Sequence, residues 1–272
     1  MDKNDKYHFV LVHGDCHGAW CWYKLATLLK SESHKVSAID MAGCGRNLES
    51  VELEIVSLTD YMAPLMLFME SLHDDERVIL VGHSRGGIDI SIAMERFPRK
   101  IAAAVFVSAA MPGPRLDLPT VSKEFGRRLG STMDNEYAYS QGEDKPPTSY
   151  RFGPNFLAST LYQLSPPEDL TLATLLIRPS PLFVDFHCPS KETALTMENY
   201  GSVPRVYVVC DEDKLMKVEM QRWLIENNRP DDVKVIEGSD HMVMMSKPHH
   251  LSLCLLEIGD KYWPSSCSAP LV

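Results

Sequence analysis

Short apolar runs alternate along the chain with segments in which apolar residues recur every three or four positions. The runs are rich in valine, isoleucine and aromatic residues and predict strands at 7–12, 35–40, 77–82, 101–109, 205–210 and 232–238. The segments with helical spacing predict helices at 19–32, 57–72, 86–97, 218–228 and 249–262. This alternation predicts an α/β fold, with helices on both faces of a mostly parallel sheet.

Residues 112–200 interrupt the alternation. The segment holds many of the prolines, no convincing core strand, and helix-compatible stretches at 120–130, 154–163 and 167–176. Roughly 90 residues are too many for a structureless loop in a compact domain. We therefore expect residues 112–200 to form a helical cap inserted between two parts of the core, 1–111 and 201–264. A flexible tail is expected at 265–272.

Composition narrows the class of protein. The 272 residues, 44% of them apolar, suit one core with an insertion. A formal charge of −10 opposes nucleic-acid binding, and the longest nearly apolar run, "IAAAVFVSAAMP", is too short to span a membrane. Seven scattered cysteines without a CxxC pair predict reduced thiols and no thiolate metal site. With no export signal visible, we expect a cytoplasmic protein.

The stretch "LVGHSRGGIDI" carries a Gly-x-Ser-x-Gly motif at the end of a predicted strand and the start of a predicted helix. A nucleophile elbow needs this order of strand, sharp turn and helix, with small residues where the two backbones approach each other. Ser84 is therefore the candidate nucleophile, with Gly82 and Gly86 allowing the turn. The alternative is an ordinary glycine-rich turn with a surface serine.

A serine hydroxyl needs a base and an orienting carboxylate, which we expect downstream in the order Ser, Asp, His. His241 follows the predicted strand 232–238, and Asp213 follows the strand 205–210. Because ligands bind at the carboxyl ends of parallel strands, these side chains should converge with Ser84. The nearby rivals of Asp213 are Asp211, Glu212 and Asp240. Three other histidines lack this placement and are expected to be structural or exposed: His83, His249 and His250.

The stretch "LVHGDCHGAW" ends the first predicted strand with His13-Gly14. A backbone N–H just beyond it could point at a developing oxyanion, and the N–H of Arg85 would be the second donor. Such donors contribute about 3 to 4 kcal/mol each in acyl transfer. A metal site formed by His13, Cys16 and His17 is the alternative, although the spacing matches no common ligand pattern.

Several stretches together resemble the plant methylesterase and hydroxynitrile lyase family of α/β-hydrolases, over nearly the whole chain. They are "HFVLVHGDCHGAWCWYKL", "VILVGHSRGG", "AVFVSAAMP", "LLIRPSPLF", "YGSVPRVYVVCDEDK", "QRWLIENN" and "SDHMVMMSKP". The resemblance implies a triad of Ser84, Asp213 and His241, an oxyanion hole from the N–H groups of Asp15 and Arg85, and a family tendency towards homodimers.

The lyases of this family differ from the esterases at two positions, a threonine after the first-loop histidine and a lysine after the catalytic histidine. This chain has Gly14 and Met242 there, so ester hydrolysis is favoured. We therefore predict a cofactor-independent carboxylesterase for methyl esters of small plant metabolites, including an indole alkaloid β-aldehydo ester whose freed acid would lose carbon dioxide. The alternatives are a lyase-like or decarboxylase-like catalyst and a weakly catalytic receptor.

The substrate pocket is expected between the elbow and the cap. Its predicted residues are Gly14, Asp15, Arg85, Phe125, Phe156, Leu182 and Met242, with Phe152, Leu161 and Phe183 as further candidates.

Asp15 and Arg85 depart from the family pattern, which has a small residue and an apolar or aromatic residue at these positions. A bare carboxylate about 5 Å from an oxyanion would cost roughly 3 kcal/mol. Arg85 could neutralise Asp15, or Asp89 on the same helix could hold Arg85 instead. Three hypotheses stay open: both side chains point away, the pair shapes the pocket with Asp15 meeting a protonated amine, or the acyl chemistry is altered.

Overall fold

The computed structural model describes residues 7–51, 53–183 and 186–263; the predicted tail 265–272 lies outside them. Six parallel strands form the central sheet in the order β2-β1-β3-β4-β8-β9. The strands of the chain are β1 His8–Val12, β2 Lys35–Ile39, β3 Val78–His83, β4 Ile101–Val107, β5 Glu136–Ala138, β6 Ser149–Arg151, β7 Ser180–Pro181, β8 Arg205–Cys210 and β9 Asp232–Ile236. The predicted α/β fold with a mostly parallel sheet is confirmed.

The helices follow the predicted segments to within a few residues. They are α1 Tyr23–Ser31, α2 Leu58–Ser71, α3 Gly86–Arg96, α4 Leu118–Arg128, α5 Pro154–Phe156, α6 Pro167–Leu176, α7 Val218–Asn227, α8 Val243–Ser246 and α9 Pro248–Tyr262. A 3₁₀ turn at Ala19–Trp22 precedes α1, and a π turn at Leu157–Leu161 continues α5. Within the described parts of the chain, no helix has the length and apolar character needed to cross a membrane.

The sheet separates two hydrophobic clusters. Val10 and Val12 of β1 belong to one cluster, and Phe9 and Leu11 of the same strand belong to the other. Adjacent residues of a strand point to opposite faces, so a fully buried strand must be apolar at every position. Helices α2, α3 and α7 cover the first face, and α1, α8 and α9 cover the second. This arrangement leaves the carboxyl ends of the strands free to present functional side chains.

The segment 112–200 contains helices α4, α5 and α6 and also an antiparallel sheet in the order β5-β6-β7. The expectation of a cap without convincing strands is therefore incomplete. These strands have only two or three residues each, and one of them includes Pro181, so no apolar alternation marks them in the sequence. Strand β7 brings the cap to the rim of the central sheet, beside the site.

Candidate active site

Ser84 lies in the sharp turn between β3 and α3, with a φ of +56°. The backbone of a non-glycine residue is strained at this φ, as a nucleophile elbow requires. A Cβ on Gly82 would lie 2.6 Å from the carbonyl oxygen of Gly86, and one on Gly86 would lie 2.7 Å from that of Val12. These two positions therefore have room only for glycine, as predicted, and the close packing holds the turn.

The imidazole of His241 is oriented by Asp213. His241 Nδ1 donates to Asp213 Oδ2 at 2.6 Å, and both side chains are buried. The other oxygen, Asp213 Oδ1, accepts the backbone N–H groups of Leu215 at 2.7 Å and Met216 at 2.8 Å. The carboxylate is thus fixed from both sides, and the Nε2 atom of His241 is left for proton transfer.

Ser108 is a part of this network that the sequence reasoning missed. Its hydroxyl donates to Asp213 Oδ2 at 2.5 Å, the same oxygen that accepts from His241. Ser108 is fully buried directly after β4, with a φ of +39°. A serine at the carboxyl end of a buried strand was the signal available in the sequence, since the other site residues have the same placement.

The bond between Ser84 and His241 is not made. Among the described residues, none hydrogen-bonds with the Ser84 hydroxyl, so the third contact of the predicted triad is absent from this conformation. The histidine loop is nevertheless held at the elbow, because His83 Nε2 donates to the carbonyl oxygen of His241 at 2.8 Å. The two imidazole rings lie 4.6 Å apart. Burial places the pKa of His83 well below its usual value, so this neighbour is neutral.

Two backbone N–H groups beside Ser84 are unshared. Those of Asp15 and Arg85 have no hydrogen-bond acceptor in the described ranges of the chain. Gly14 brings the first of them close, since a Cβ added there would lie only 2.8 Å from the Cβ of Ser84. Both groups are therefore available to an oxyanion formed at Ser84.

The rivals weighed for these roles have other partners. Asp240 accepts bonds from Leu164 N at 3.0 Å and from the hydroxyls of Ser165 and Ser246. His13 and His17 both bond to neighbouring groups, and burial lowers the pKa of His17 to about 4. Within residues 7–51, 53–183 and 186–263, no cluster of three metal-ligating side chains occurs.

Arg85 pairs with Asp15. Arg85 Nη1 donates to Asp15 Oδ1 at 2.9 Å, to Ser180 Oγ at 3.2 Å and to the carbonyl oxygen of Pro181 at 3.1 Å. Ser180 Oγ donates in turn to Asp15 Oδ1 at 2.6 Å. The pair therefore connects three parts of the chain: the loop after β1 that carries Asp15 (the oxyanion loop), the elbow at Ser84, and β7 of the cap.

Asp89 does not hold Arg85, and that hypothesis is wrong. Both oxygens of the buried Asp89 carboxylate and two nitrogens of the guanidinium, Nε and Nη2, have no hydrogen-bond partner in the described chain. Burial raises the pKa of Asp89 to about 7, although the nearby Arg85 opposes the shift. The guanidinium instead lies over the ring of Tyr61, 4.0 Å from its centroid.

A cavity of about 200 Å³ opens at the nucleophile. Its wall is mostly apolar, with a few polar side chains: Asp15, Ser84, Arg85, Ile88, Ala110, Val121, Ser122, Phe125, Tyr150, Leu182, Phe186, His187 and Met216. Asp15 and Arg85 both line the cavity with Ser84, which opposes the hypothesis that their side chains point away from the site. Phe125 and Leu182 also line it.

Three predicted pocket residues do not line the cavity: Gly14, which lies against Ser84, and Phe156 and Met242. Phe156 and Met242 are buried in the core cluster that contains Phe9 and Leu11, and neither lines the cavity. Phe152 and Leu161 lie in the same cluster. An apolar residue has the same sequence signal in a cavity wall as in a packed core, and here the core accounts for all four. Phe183 packs against Tyr61 and Arg85, behind the cavity.

Comparisons with known proteins identify the family of the chain. Residues 9–251 match the alpha/beta hydrolase family. Methyl jasmonate esterase 1 from Vitis vinifera is 56% identical over 263 residues, which are 96% of this chain and 100% of that protein.

Two solved structures have nearly the same fold. Tomato methylketone synthase I complexed with 2-tridecanone matches with a TM-score of 0.90 at 49% identity, covering 94% of this chain and 99% of that one. Polyneuridine aldehyde esterase matches with a TM-score of 0.89 at 42% identity, covering 94% of this chain and 100% of that one. The family resemblance of the motifs is thus confirmed: the chain belongs to the α/β-hydrolase family, in its group of plant methylesterases and related enzymes.

Proposed function

We propose that this protein is a serine carboxylesterase that hydrolyses methyl esters of small plant metabolites. One observation carries the proposal: Ser84 stands at a strained elbow on the wall of a largely apolar cavity, with two unshared N–H groups beside it. The similarity to methyl jasmonate esterase 1 supports the ester class. The polar atoms needed for acyl transfer are all supplied by the chain itself.

In the proposed mechanism, Ser84 Oγ attacks the ester carbonyl carbon while His241 Nε2 takes its proton. The N–H groups of Asp15 and Arg85 bind the oxyanion, and the intermediate collapses when His241 returns the proton to the departing methanol. His241 then activates a water that hydrolyses the acyl-enzyme. The Ser84 hydroxyl turns towards His241 as substrate binds, since catalytic hydrogen bonds often form only in the substrate complex.

The test is methanol release from a panel of methyl esters, together with mass-spectrometric detection of an acyl group on Ser84. Ser84→Ala and His241→Ala should each lower kcat by about 10³-fold or more. His249→Ala is the matched control, because this histidine is exposed and outside the site. Normal turnover by Ser84→Ala would overturn the proposal.

A second candidate is decarboxylation of a β-keto acid. It is favoured by the missing hydrogen bond on Ser84 and by the 49% identity to a protein named as a methylketone synthase. In this reaction the N–H groups of Asp15 and Arg85 would stabilise the enolate oxygen. The free β-keto acid separates the two functions. If the protein is a decarboxylase, its Ser84→Ala variant should convert this acid as well as the wild type does. An esterase would not accelerate the loss of carbon dioxide from the acid.

A further inference from the structure

The residues directly after β4 lie between the nucleophile and the strand that leads to the predicted acid. On one side, the N–H of Ser84 donates to the carbonyl oxygen of Val107 at 3.4 Å, and the N–H of Ala110 donates to the carbonyl oxygen of Ser84 at 3.0 Å. On the other side, the N–H of Ser108 donates to the carbonyl oxygen of Val208 in β8 at 2.9 Å. The segment around Ser108 is therefore fixed both to the elbow and to β8.

The hydroxyl of Ser108 completes the hydrogen bonding of the Asp213 carboxylate. Oδ2 accepts from Ser108 Oγ at 2.5 Å and from His241 Nδ1 at 2.6 Å, while Oδ1 accepts two backbone N–H groups. A carboxylate has about four acceptor sites, and the side chain of Asp213 has no exposed surface. The chain itself therefore fills every site. Without Ser108, the oxygen that orients the base would be held by the base alone.

The backbone of Ser108 is strained, with a φ of +39°. Glycine adopts such a conformation more easily than any other residue, but it has no hydroxyl. Strained residues persist where the surrounding structure holds them, and they are concentrated at active sites. A fully buried serine at this φ, bonded to the acid of the site, indicates that the hydroxyl itself is used.

Resting on the proposed esterase function, we propose that Ser108 is a positioning residue for acyl transfer. Its hydroxyl holds Asp213 Oδ2 at His241 and takes up part of the negative charge that this oxygen presents to the imidazole. In the mechanism, His241 takes a proton from Ser84 and returns it to the departing methanol. An imidazole beside a more negative oxygen would keep that proton longer, so the serine limits the strength of His241 as a base.

Within the described chain, the other ionisable groups near this pair make no hydrogen bond with the Ser108 hydroxyl: His17, His83, Tyr207, Cys210 and Asp240. Burial lowers the pKa of His17 to about 4 and that of His83 well below its usual value, so both are uncharged near neutral pH. Burial raises the pKa of Tyr207 and that of Cys210 well above their usual values, so both stay protonated. Asp240, whose pKa burial also raises, has three donors of its own. A change at Ser108 therefore reaches His241 through Asp213.

Ser108→Ala tests the hydroxyl alone, because alanine keeps the Cβ and has the same backbone strain at this φ. The variant should fold as the wild type does, since Asp213 Oδ2 keeps its bond from His241. In methanol release, its kcat should fall about 10-fold while KM stays within about 2-fold of the wild type. The acid limb of its pH profile of kcat/KM should move to higher pH, because the protonated imidazole then faces a more negative oxygen.

Ser91→Ala is the matched control. The hydroxyl of Ser91 is also fully buried, but it donates to the carbonyl oxygen of Gly87 within α3. This variant should leave both kcat and the pH profile unchanged.

A second measurement combines Ser108→Ala with Asp213→Asn. A residue that acts through another loses its effect when that other residue is already changed. Adding Ser108→Ala to Asp213→Asn should therefore lower kcat by less than about 2-fold.

An acid limb that does not move in Ser108→Ala overturns the positioning role even where kcat falls, because a merely structural defect lowers kcat without moving the limb. A further loss of about 10-fold on top of Asp213→Asn overturns it as well. Both results leave the esterase function standing. Failure of the wild-type protein to release methanol from any ester of the panel counts against the esterase function itself.

Discussion

Gly14 carries no side chain, and only for this reason can the oxyanion loop lie against Ser84. A methyl group there would come 2.8 Å from Ser84 Cβ and 3.3 Å from its Oγ, so either the nucleophile or the loop must move. A displacement of about 1 Å at a reacting atom can cost 10²-fold in rate. The glycine is thus a requirement of the chemistry and not only of the fold.

We predict that Gly14→Ala lowers kcat about 100-fold, measured as methanol release, while the protein still folds. Gly126→Ala is the control, because no atom lies within 4 Å of its added Cβ and the position is in helix α4. That variant should keep full activity and gain about 0.5 to 1 kcal/mol of stability. Full activity in Gly14→Ala would contradict the close approach.

Single residues differed in how far the sequence could predict them. Ser84, Asp213 and His241 were recognisable because each follows a strand and has a distinctive chemistry. Ser108 and Tyr150 were missed, since a serine or a tyrosine has many ordinary roles and only folding brings these two to the site. Whether Arg85 pairs with Asp15 or Asp89 was likewise undecidable from spacing, because it depends on where the first loop lies across the elbow.

At the scale of elements, Asp240 links the loop that carries His241 to two other segments of the chain. One of its oxygens accepts from Leu164 N and Ser165 Oγ, after the π turn, and the other accepts from Ser246 Oγ at the end of α8. This residue therefore fixes the backbone beside His241 without contacting the imidazole. Its role is to position, whereas that of Asp213 is to orient the base.

Asp240→Asn should lower the free energy of unfolding by about 1 to 3 kcal/mol, because an amide group would face donors that need acceptors. Its kcat should fall by less than about 10-fold. Asp213→Asn should instead reduce kcat by about 10³- to 10⁴-fold, because the amide cannot hold the imidazole in the required tautomer. Denaturant unfolding and methanol release measure the two effects, and equal losses of kcat would refute the distinction.

The strands of the central sheet and the helices that cover it were predicted to within about four residues, because a buried parallel sheet needs unbroken apolar runs. The sheet of the cap was not predicted. Its pairing of Ser149 with Pro181 joins residues far apart in sequence, and neither strand has an apolar pattern of its own. A small edge sheet of this kind depends on the tertiary contacts that place it.

At the scale of the whole molecule, burial makes Asp89, like Asp240, harder to ionise than an exposed carboxyl. Asp89 is fully buried, and burial raises its pKa to about 7 from an ordinary value of 3.8. A carboxyl whose pKa is raised on folding opposes folding increasingly as pH rises from the unfolded to the folded pKa. The cost is absent below pH 3.8 and complete above about pH 7.

Between pH 5 and pH 8, this titration should remove about 2 to 3 kcal/mol of stability from the wild type. Asp89→Asn should lack that loss, so its stability relative to the wild type should rise with pH, as measured by denaturant unfolding at both values. Asp144→Asn, at a side chain that is 81% exposed, is the control and should follow the wild type. If the difference in stability between Asp89→Asn and the wild type does not change with pH, the raised pKa of Asp89 is refuted.

At this scale the sequence predicted the layers and the edge of the sheet where the site would form. The shape of the cavity could not be predicted, because it depends on how the cap packs over the elbow. The homodimer, the cytoplasmic location and the independence of the cap as a unit stay predictions.

The cap leaves the sheet after β4 and returns before β8, and these strands are neighbours, with Ala104 opposite Arg205. The cap could therefore be exchanged for that of a relative without changing the pairing of β4 with β8. In this chain the exchange has a limit: a foreign insert lacking Ser180 and the carbonyl of Pro181 would strip Arg85 of two of its three acceptors. A chimera should thus tolerate a new lid only when residues 15 and 85 are replaced along with it.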